Sequence, residues 1–261
     1  MYQPIIKPIT TMIMFILFSF TQLLAKEKNA KVELINIAAK QRMLSQRIAK
    51  DYLYLHKNIA MSKTQKELTV SLENFFASHQ ILVQSIKDDE IKNLLDFVKL
   101  SSNDFNTTIH EEFSLDNAQL VLDLSESMLE GSQYVVDSLK DSIEVEESQI
   151  IEIAGRQRML AQRIAKYYIA YQSGIKDENT VKSMRESILA FDSNLNMLLI
   201  NKNNTPTIRN KIDEVNKLWK IVHKFYNNIE KGGLPLIVFN TTDKITQKMN
   251  EITHLYLLTH K

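Results

Sequence analysis

Residues 37–50 read Ile-Ala-Ala-Lys-Gln-Arg-Met-Leu-Ser-Gln-Arg-Ile-Ala-Lys, and residues 153–166 read Ile-Ala-Gly-Arg-Gln-Arg-Met-Leu-Ala-Gln-Arg-Ile-Ala-Lys. The two stretches are identical at 11 of 14 positions and lie 116 residues apart. The same offset relates Phe75 to Phe191 further along the chain. Self-similarity of this length indicates two copies of one structural unit.

The arginine at the centre of each copy is in an unusual place for a helix surface. At the helical period of 100° per residue, Arg42 lies on a seam of mostly small side chains, along which a second helix can approach closely. Arginine stays charged and carries five donors, and leaving it unpaired in such a place costs roughly several kcal/mol. The sequence therefore predicts an anionic partner for Arg42 and for its counterpart Arg158. That partner is either a carboxylate, such as Glu73 or Asp192, or a bound anion.

The second copy has a glycine, Gly155, three residues before its arginine, where the first copy has Ala39. A glycine inside a helix costs about 0.5–1 kcal/mol relative to alanine, so its presence indicates close approach of a backbone or a ligand. The charged residues on the opposite side of the first copy are interpreted as a solvent-facing surface: Lys40, Arg47 and Asp51.

Both stretches resemble the signature of the PilJ-type sensor domain, the N-terminal module of type IV pilus methyl-accepting chemotaxis transducers. That module is similar to the periplasmic domain of the nitrate/nitrite sensor kinase NarX, in which a Gly-x-x-Arg-Met segment contacts nitrate across a dimer interface. The resemblance implies a signal-transduction module that binds a small oxyanion such as nitrate or nitrite. The residues it implies for ligand binding are Gly155, Arg158 and Met159 in the second copy, and Ala39, Arg42 and Met43 in the first.

The resemblance also implies partners. In the family an anion is shared by equivalent arginines of two subunits, so a homodimer is expected, with a membrane-bound transducer or sensor kinase receiving the signal. The alternative interpretation is a structural or protein-interaction bundle in type IV pilus or chemotaxis signalling, which binds no small ligand and keeps the motif for packing.

The composition favours an all-α protein, because only five glycines and two prolines occur beyond residue 25. The chain has 32 basic and 31 acidic residues and no basic block, a pattern that does not favour a nucleic-acid partner. It has no cysteine, which excludes disulfides and thiolate chemistry. No phosphate loop or catalytic pair is evident, and only Glu251 and His254 have the spacing of a di-iron ligand pair. We therefore predict no enzyme activity, no cofactor and no metal site.

The predicted architecture is two tandem four-helix up-down bundles, formed by residues 26–145 and residues 146–261. Residues 140–149 contain no glycine or proline. The sequence therefore predicts one continuous helix, from about Asp116 to Tyr171, that joins the bundles end to end.

That arrangement would place the two motif arginines far apart. At a rise of 1.5 Å per residue, Arg42 and Arg158 would be separated by roughly 35 Å. Each copy would then need a second chain to complete a shared anion site, which is a further reason to expect a parallel homodimer.

Residues 1–25 have the pattern of a secretory signal peptide. Lys7 precedes an uncharged apolar run over residues 9–24, and Ala25 is a small residue at the expected cleavage point. The run, of about 16 residues, is shorter than the ~20 that span a bilayer. The alternative is an uncleaved anchor formed by residues 9–24, which tethers the protein to the inner membrane. In both cases the remainder of the chain is expected in the periplasm.

We expect the mature protein to begin at Lys26, because the charge-free run ends at Ala25. The intact mass of protein purified from the envelope fraction measures this directly. A chain that still carries Met1 would show that the segment is an anchor.

Overall fold

The computed structural model describes residues 7–141 and 147–259, and it describes the side chains of residues 30–141 and 149–259. Within these ranges the chain is helical and contains no strand, so the predicted all-α fold is confirmed. The helices are α1 (Lys7–His56), α2 (Met61–Ser85), α3 (Asp89–Thr108), α4 (Leu115–Asp141), α5 (Glu147–Gln172), α6 (Glu178–Ile200), α7 (Pro206–Asn227) and α8 (Pro235–Thr259), with a short 3₁₀-helix at Ile229–Lys231.

Local sequence signals fix several helix starts. The Asp88 carboxylate accepts hydrogen bonds from the first turn of α3, and Thr205 caps α7 ahead of Pro206, as helix N-termini require. The sequence Thr64-Gln65-Lys66-Glu67 has the spacing of a capping box and so predicts a helix start at Thr64, but this prediction is wrong. α2 begins earlier, after Ala60 in a left-handed conformation, and the Thr64 hydroxyl donates to the Ile59 carbonyl.

The predicted targeting segment lies partly outside the described residues. Helix α1 begins at Lys7, but the placement of residues 1–6 and the side chains before residue 30 are not described. Across the described part of the chain, no helix combines the length and the apolar character that crossing a membrane requires. Cleavage after Ala25 stays a prediction.

The two repeats adopt the same helix packing. In the first, α1 packs against α2 and α4, and α4 packs against α3; in the second, α5 packs against α6 and α8, and α8 packs against α7. The first helix of each repeat therefore packs against the second and the fourth helix of the same repeat.

The two bundles lie side by side, so the predicted end-to-end stacking is wrong. Helix α1 packs along α5, with Ala39 opposite Gly155. α4 ends at Asp141 and α5 begins at Glu147, and the five residues between them are outside the described part of the chain. The predicted continuous helix across residues 142–146 thus falls outside the described residues, whereas the side-by-side placement follows from the packing of α1 along α5.

Helices α1 and α5 run in the same direction, because Ala39 lies opposite Gly155 and, further along, Lys50 contacts Asp243 on α8, about one turn from the residue that Gln162 of α5 contacts. Beyond the motif arginines, Gln46 reaches Ser125 on α4 and Gln162 reaches Thr246 on α8. The repeats are thus related by approximate twofold symmetry within one chain. Their largest hydrophobic core contains residues of both, including the equivalent pairs Ile48 and Ile164, Tyr52 and Tyr168, and Phe75 and Phe191.

Buried lysines connect each repeat to the other. Lys50 on α1 is fully buried, with its Nζ 2.9 Å from an oxygen of Asp243 on α8. Lys166 on α5 is also fully buried and pairs with Glu126 on α4. The buried lysine on the first helix of each repeat therefore forms an ion pair with a carboxylate on the fourth helix of the opposite repeat. These two ion pairs join the repeats.

The prediction that Lys40, Arg47 and Asp51 form a solvent-facing surface is therefore wrong. Asp51 is fully buried, the Arg47 side chain is only 22 % exposed, and Lys40 is half-buried. This side of α1 faces α8 of the second repeat, a contact that helical periodicity alone does not reveal. Burial raises the pKa of Asp51 to about 6, although Lys50 and Arg47 act to lower it.

We expect Asp243→Asn to lower the free energy of unfolding by about 3 kcal/mol at pH 7, because it removes a carboxylate from the buried Lys50. Burial alone would raise the pKa of Asp243, but Lys50 and Arg47 outweigh it and lower the pKa below its usual value. The stabilisation is thus full above about pH 5 and declines below about pH 4.

Urea unfolding of both proteins across this pH range measures the effect, with the exposed Asp213→Asn as control. If Asp243→Asn lowers the free energy of unfolding no more than the control does, or by an amount that does not depend on pH, the ion pair between Lys50 and Asp243 does not stabilise the fold.

Candidate functional site

The two motif arginines meet at Gly155, between α1 and α5. A Cβ atom placed on this glycine would lie 3.2 Å from Nη2 of Arg158, 3.9 Å from Nη2 of Arg42 and 3.5 Å from Cβ of Ala39. The two guanidinium groups are therefore neighbours within one chain. The predicted separation of roughly 35 Å is wrong, because the helices that carry them lie side by side.

Arg42 is fully buried and only partly paired. Its Nη1 donates to an oxygen of Glu152 at 3.0 Å and to the Gln133 side chain. Its Nε and Nη2 have no hydrogen-bond partner within the part of the chain that the structure describes. Burial lowers the pKa of Arg42, and Glu152 acts in the opposite direction. Three N–H donors of a buried cation, one on Nε and two on Nη2, are thus left for another acceptor.

Arg158 is surrounded by neutral acceptors. Its Nη1 donates to Asn250 at 3.1 Å, its Nη2 donates to Asn36 at 3.2 Å, and its Nε lies 3.5 Å from the Gly155 carbonyl. The residue is 4 % exposed. Burial, and then the charge of Arg42, lowers the pKa of Arg158 to about 10, so the side chain still carries its charge at neutral pH.

The centre of the α1/α5 interface therefore holds more positive than negative charge. Among the described side chains, Glu152 supplies a carboxylate to Arg42, whereas Arg158 has only neutral acceptors. Burying an uncompensated charge is costly, and an oxyanion has several acceptor oxygens that suit a guanidinium fork. The geometry makes this interface a candidate site for a small anion.

The other predicted site residues divide into two groups. Ala39 and Gly155 face each other beside the arginines. Met43 and Met159 are buried in the hydrophobic core that both repeats share, so in this structure both are core residues.

The carboxylates predicted as arginine partners were the wrong ones. Glu73 is exposed, and Asp192 is also exposed and accepts a hydrogen bond from Trp219 at 2.7 Å. Sequence reasoning missed Glu152 on α5 and Asn36 on α1. One signal could have found them, since Asn36 and Glu152 occupy the same position in the two repeats, six residues before each arginine.

The structure also removes the reason given for a homodimer. A single chain supplies both equivalent arginines, so no second chain is needed to bring them together. No group of three or more histidines and acidic residues is placed to hold a metal ion within residues 7–141 and 147–259.

Comparison with protein families gives one match. The model named PilJ, described as "Type IV pili methyl-accepting chemotaxis transducer N-term", matches residues 23–94 and 143–241. The two matched segments contain Arg42 and Arg158, respectively. Neither the search of curated proteins nor the search of solved structures returned a match.

We expect Gly155→Ala to weaken the binding of a small oxyanion such as nitrate without loss of stability. The new methyl group would lie 3.2 Å from Nη2 of Arg158 and 3.9 Å from Nη2 of Arg42, where the anion would bind. Alanine is favoured over glycine in a helix by about 0.5–1 kcal/mol. Calorimetric titration gives the affinity, and urea unfolding gives the stability.

The matched control is Ala39→Gly, which opens space at the equivalent position on α1. This variant should retain anion binding and lose about 0.5–1 kcal/mol of stability. Wild-type nitrate affinity in Gly155→Ala would show that the space beside the glycine is not where the anion binds.

Proposed function

This chain belongs to the PilJ family, the N-terminal sensory domains of type IV pili methyl-accepting chemotaxis transducers, and we propose that it binds a small oxyanion between Arg42 and Arg158. Nitrate and nitrite are the proposed ligands, on the basis of the resemblance to the NarX sensor domain. We propose that the protein acts outside the cytoplasm and reports to a membrane-bound transducer or sensor kinase.

The observation that carries the proposal is the unmatched positive charge at the α1/α5 interface. Arg42 is fully buried with Nε and Nη2 unpaired in the described structure, and Arg158 lies beside it without a carboxylate partner there. A planar oxyanion beside Gly155 would accept hydrogen bonds from both guanidinium groups. Such charge-assisted bonds are about twice as strong as neutral ones.

A ligand in this place would act on the relation between the two repeats. The oxygen atoms of the ligand would join α1 of the first repeat to α5 of the second. The ion pairs of Lys50 with Asp243 and of Lys166 with Glu126 belong to the same interface between the repeats. A ligand shifts a conformational equilibrium only by its difference in affinity for the two states. We propose that the bound anion favours the arrangement in which the two arginines lie close together.

The alternative is a structural or protein-interaction bundle that binds no small ligand. The ion pair between Arg42 and Glu152 favours this interpretation, because the chain already supplies one anion to one of the arginines. Calorimetric titration with nitrate and nitrite distinguishes the two functions. Heat of binding at a defined stoichiometry supports the sensor, and its absence supports the structural bundle.

We expect Arg42→Gln and Arg158→Gln each to weaken nitrate binding by about 1.5–3 kcal/mol, because both guanidinium groups face the same space. Calorimetry on folded variants, with circular dichroism as a check on folding, measures the loss.

The control is Arg209→Gln, an exposed arginine on α7 that keeps the change in net charge the same. Nitrate affinity unchanged in either motif variant would contradict the shared site. A loss of equal size in the control would show that the effect comes only from net charge.

A further inference from the structure

The residue six positions before each motif arginine supplies an acceptor to the arginine of the other repeat. Glu152 on α5 pairs with Nη1 of Arg42 at 3.0 Å, and Asn36 on α1 accepts from Nη2 of Arg158 at 3.2 Å. The two contacts are equivalent under the internal symmetry. They differ in charge, because one acceptor is a carboxylate and the other is an amide.

This difference decides the net charge of the buried centre. Among the described side chains, two guanidinium groups and one carboxylate leave one positive charge unmatched. After Glu152, the charges that act most on Arg42 are those of Arg156, which is exposed, and Asp137, whose side chain is 50 % exposed. They are of opposite sign and in contact with water, so their effects are screened and largely cancel.

We infer that Glu152 sets the charge of the ligand, so that the site accepts a monovalent oxyanion and rejects a divalent one. A monovalent anion beside Gly155 brings the buried centre to neutrality. A divalent anion leaves one negative charge in excess, and an uncompensated charge is costly between buried side chains. This inference rests on the proposed function, because it assigns a ligand class to the same site.

Two isosteric variants at equivalent positions shift the charge in opposite directions. Glu152→Gln keeps the side-chain oxygen that Arg42 contacts and removes the negative charge, which leaves two positive charges unmatched. Asn36→Asp keeps the oxygen that Arg158 contacts and adds a negative charge, which gives each arginine its own carboxylate.

The test is calorimetric titration of wild type and both variants with nitrate, perchlorate and sulfate. Perchlorate and sulfate are both tetrahedral, so their comparison isolates charge from shape. We expect wild type to bind nitrate and to bind perchlorate at least about tenfold more tightly than sulfate. In Glu152→Gln, affinity for sulfate should rise about ten- to hundredfold, and in Asn36→Asp, affinity for nitrate should fall by a similar factor.

The control is Glu130→Gln, which removes one exposed negative charge from α4 and should leave the selectivity unchanged. If wild type binds nitrate but Glu152→Gln does not gain sulfate affinity, the inference is overturned and the proposed function stands. If none of the proteins binds any of the three anions, the proposed function is overturned, and the inference with it.

Discussion

Two buried guanidinium groups that cannot lose their charge set the main constraint on this structure. Arg42 and Arg158 lie beside Gly155 at the contact between α1 and α5, where both side chains are buried. Cations in such a place must be met by acceptors from the surrounding helices. The first and fourth helices of both repeats supply these acceptors. Among the acceptors in the described side chains, only Glu152 carries a charge. The resulting excess of positive charge makes this interface suitable for an anion.

The same interface determines how the repeats behave together. Lys50 pairs with Asp243 and Lys166 pairs with Glu126, so each of these buried lysines has a counter-ion from the opposite repeat. The hydrophobic core is likewise built from both repeats, so the repeats form one folded unit. In our proposal, a ligand at the α1/α5 contact acts on the interface that holds the two repeats together, which is a suitable place for a signal to begin.

Much of this could be predicted from the sequence. The few helix breakers indicated an all-α fold, and the repeated motif indicated the family. The small side chains around Arg42 indicated a closely packed helix and an anionic partner for the arginine. The relative placement of the repeats could not be predicted, because it depends on contacts between residues more than one hundred positions apart. The local sequence near Asp141 suggested bundles stacked end to end, whereas the packing of α1 along α5 places them side by side. Glu152 was missed for the same reason, since its role depends on which helix lies opposite Arg42.

The central claim is that one chain contains one complete anion site made by both repeats. Its most direct test is the stoichiometry of nitrate binding, measured by calorimetry at a protein concentration verified by amino-acid analysis. Our account predicts one nitrate per chain, whether the protein is a monomer or an oligomer. Two nitrates per chain would show that the repeats bind independently, and one nitrate per two chains would show that the site is shared between subunits. Either result would contradict the account.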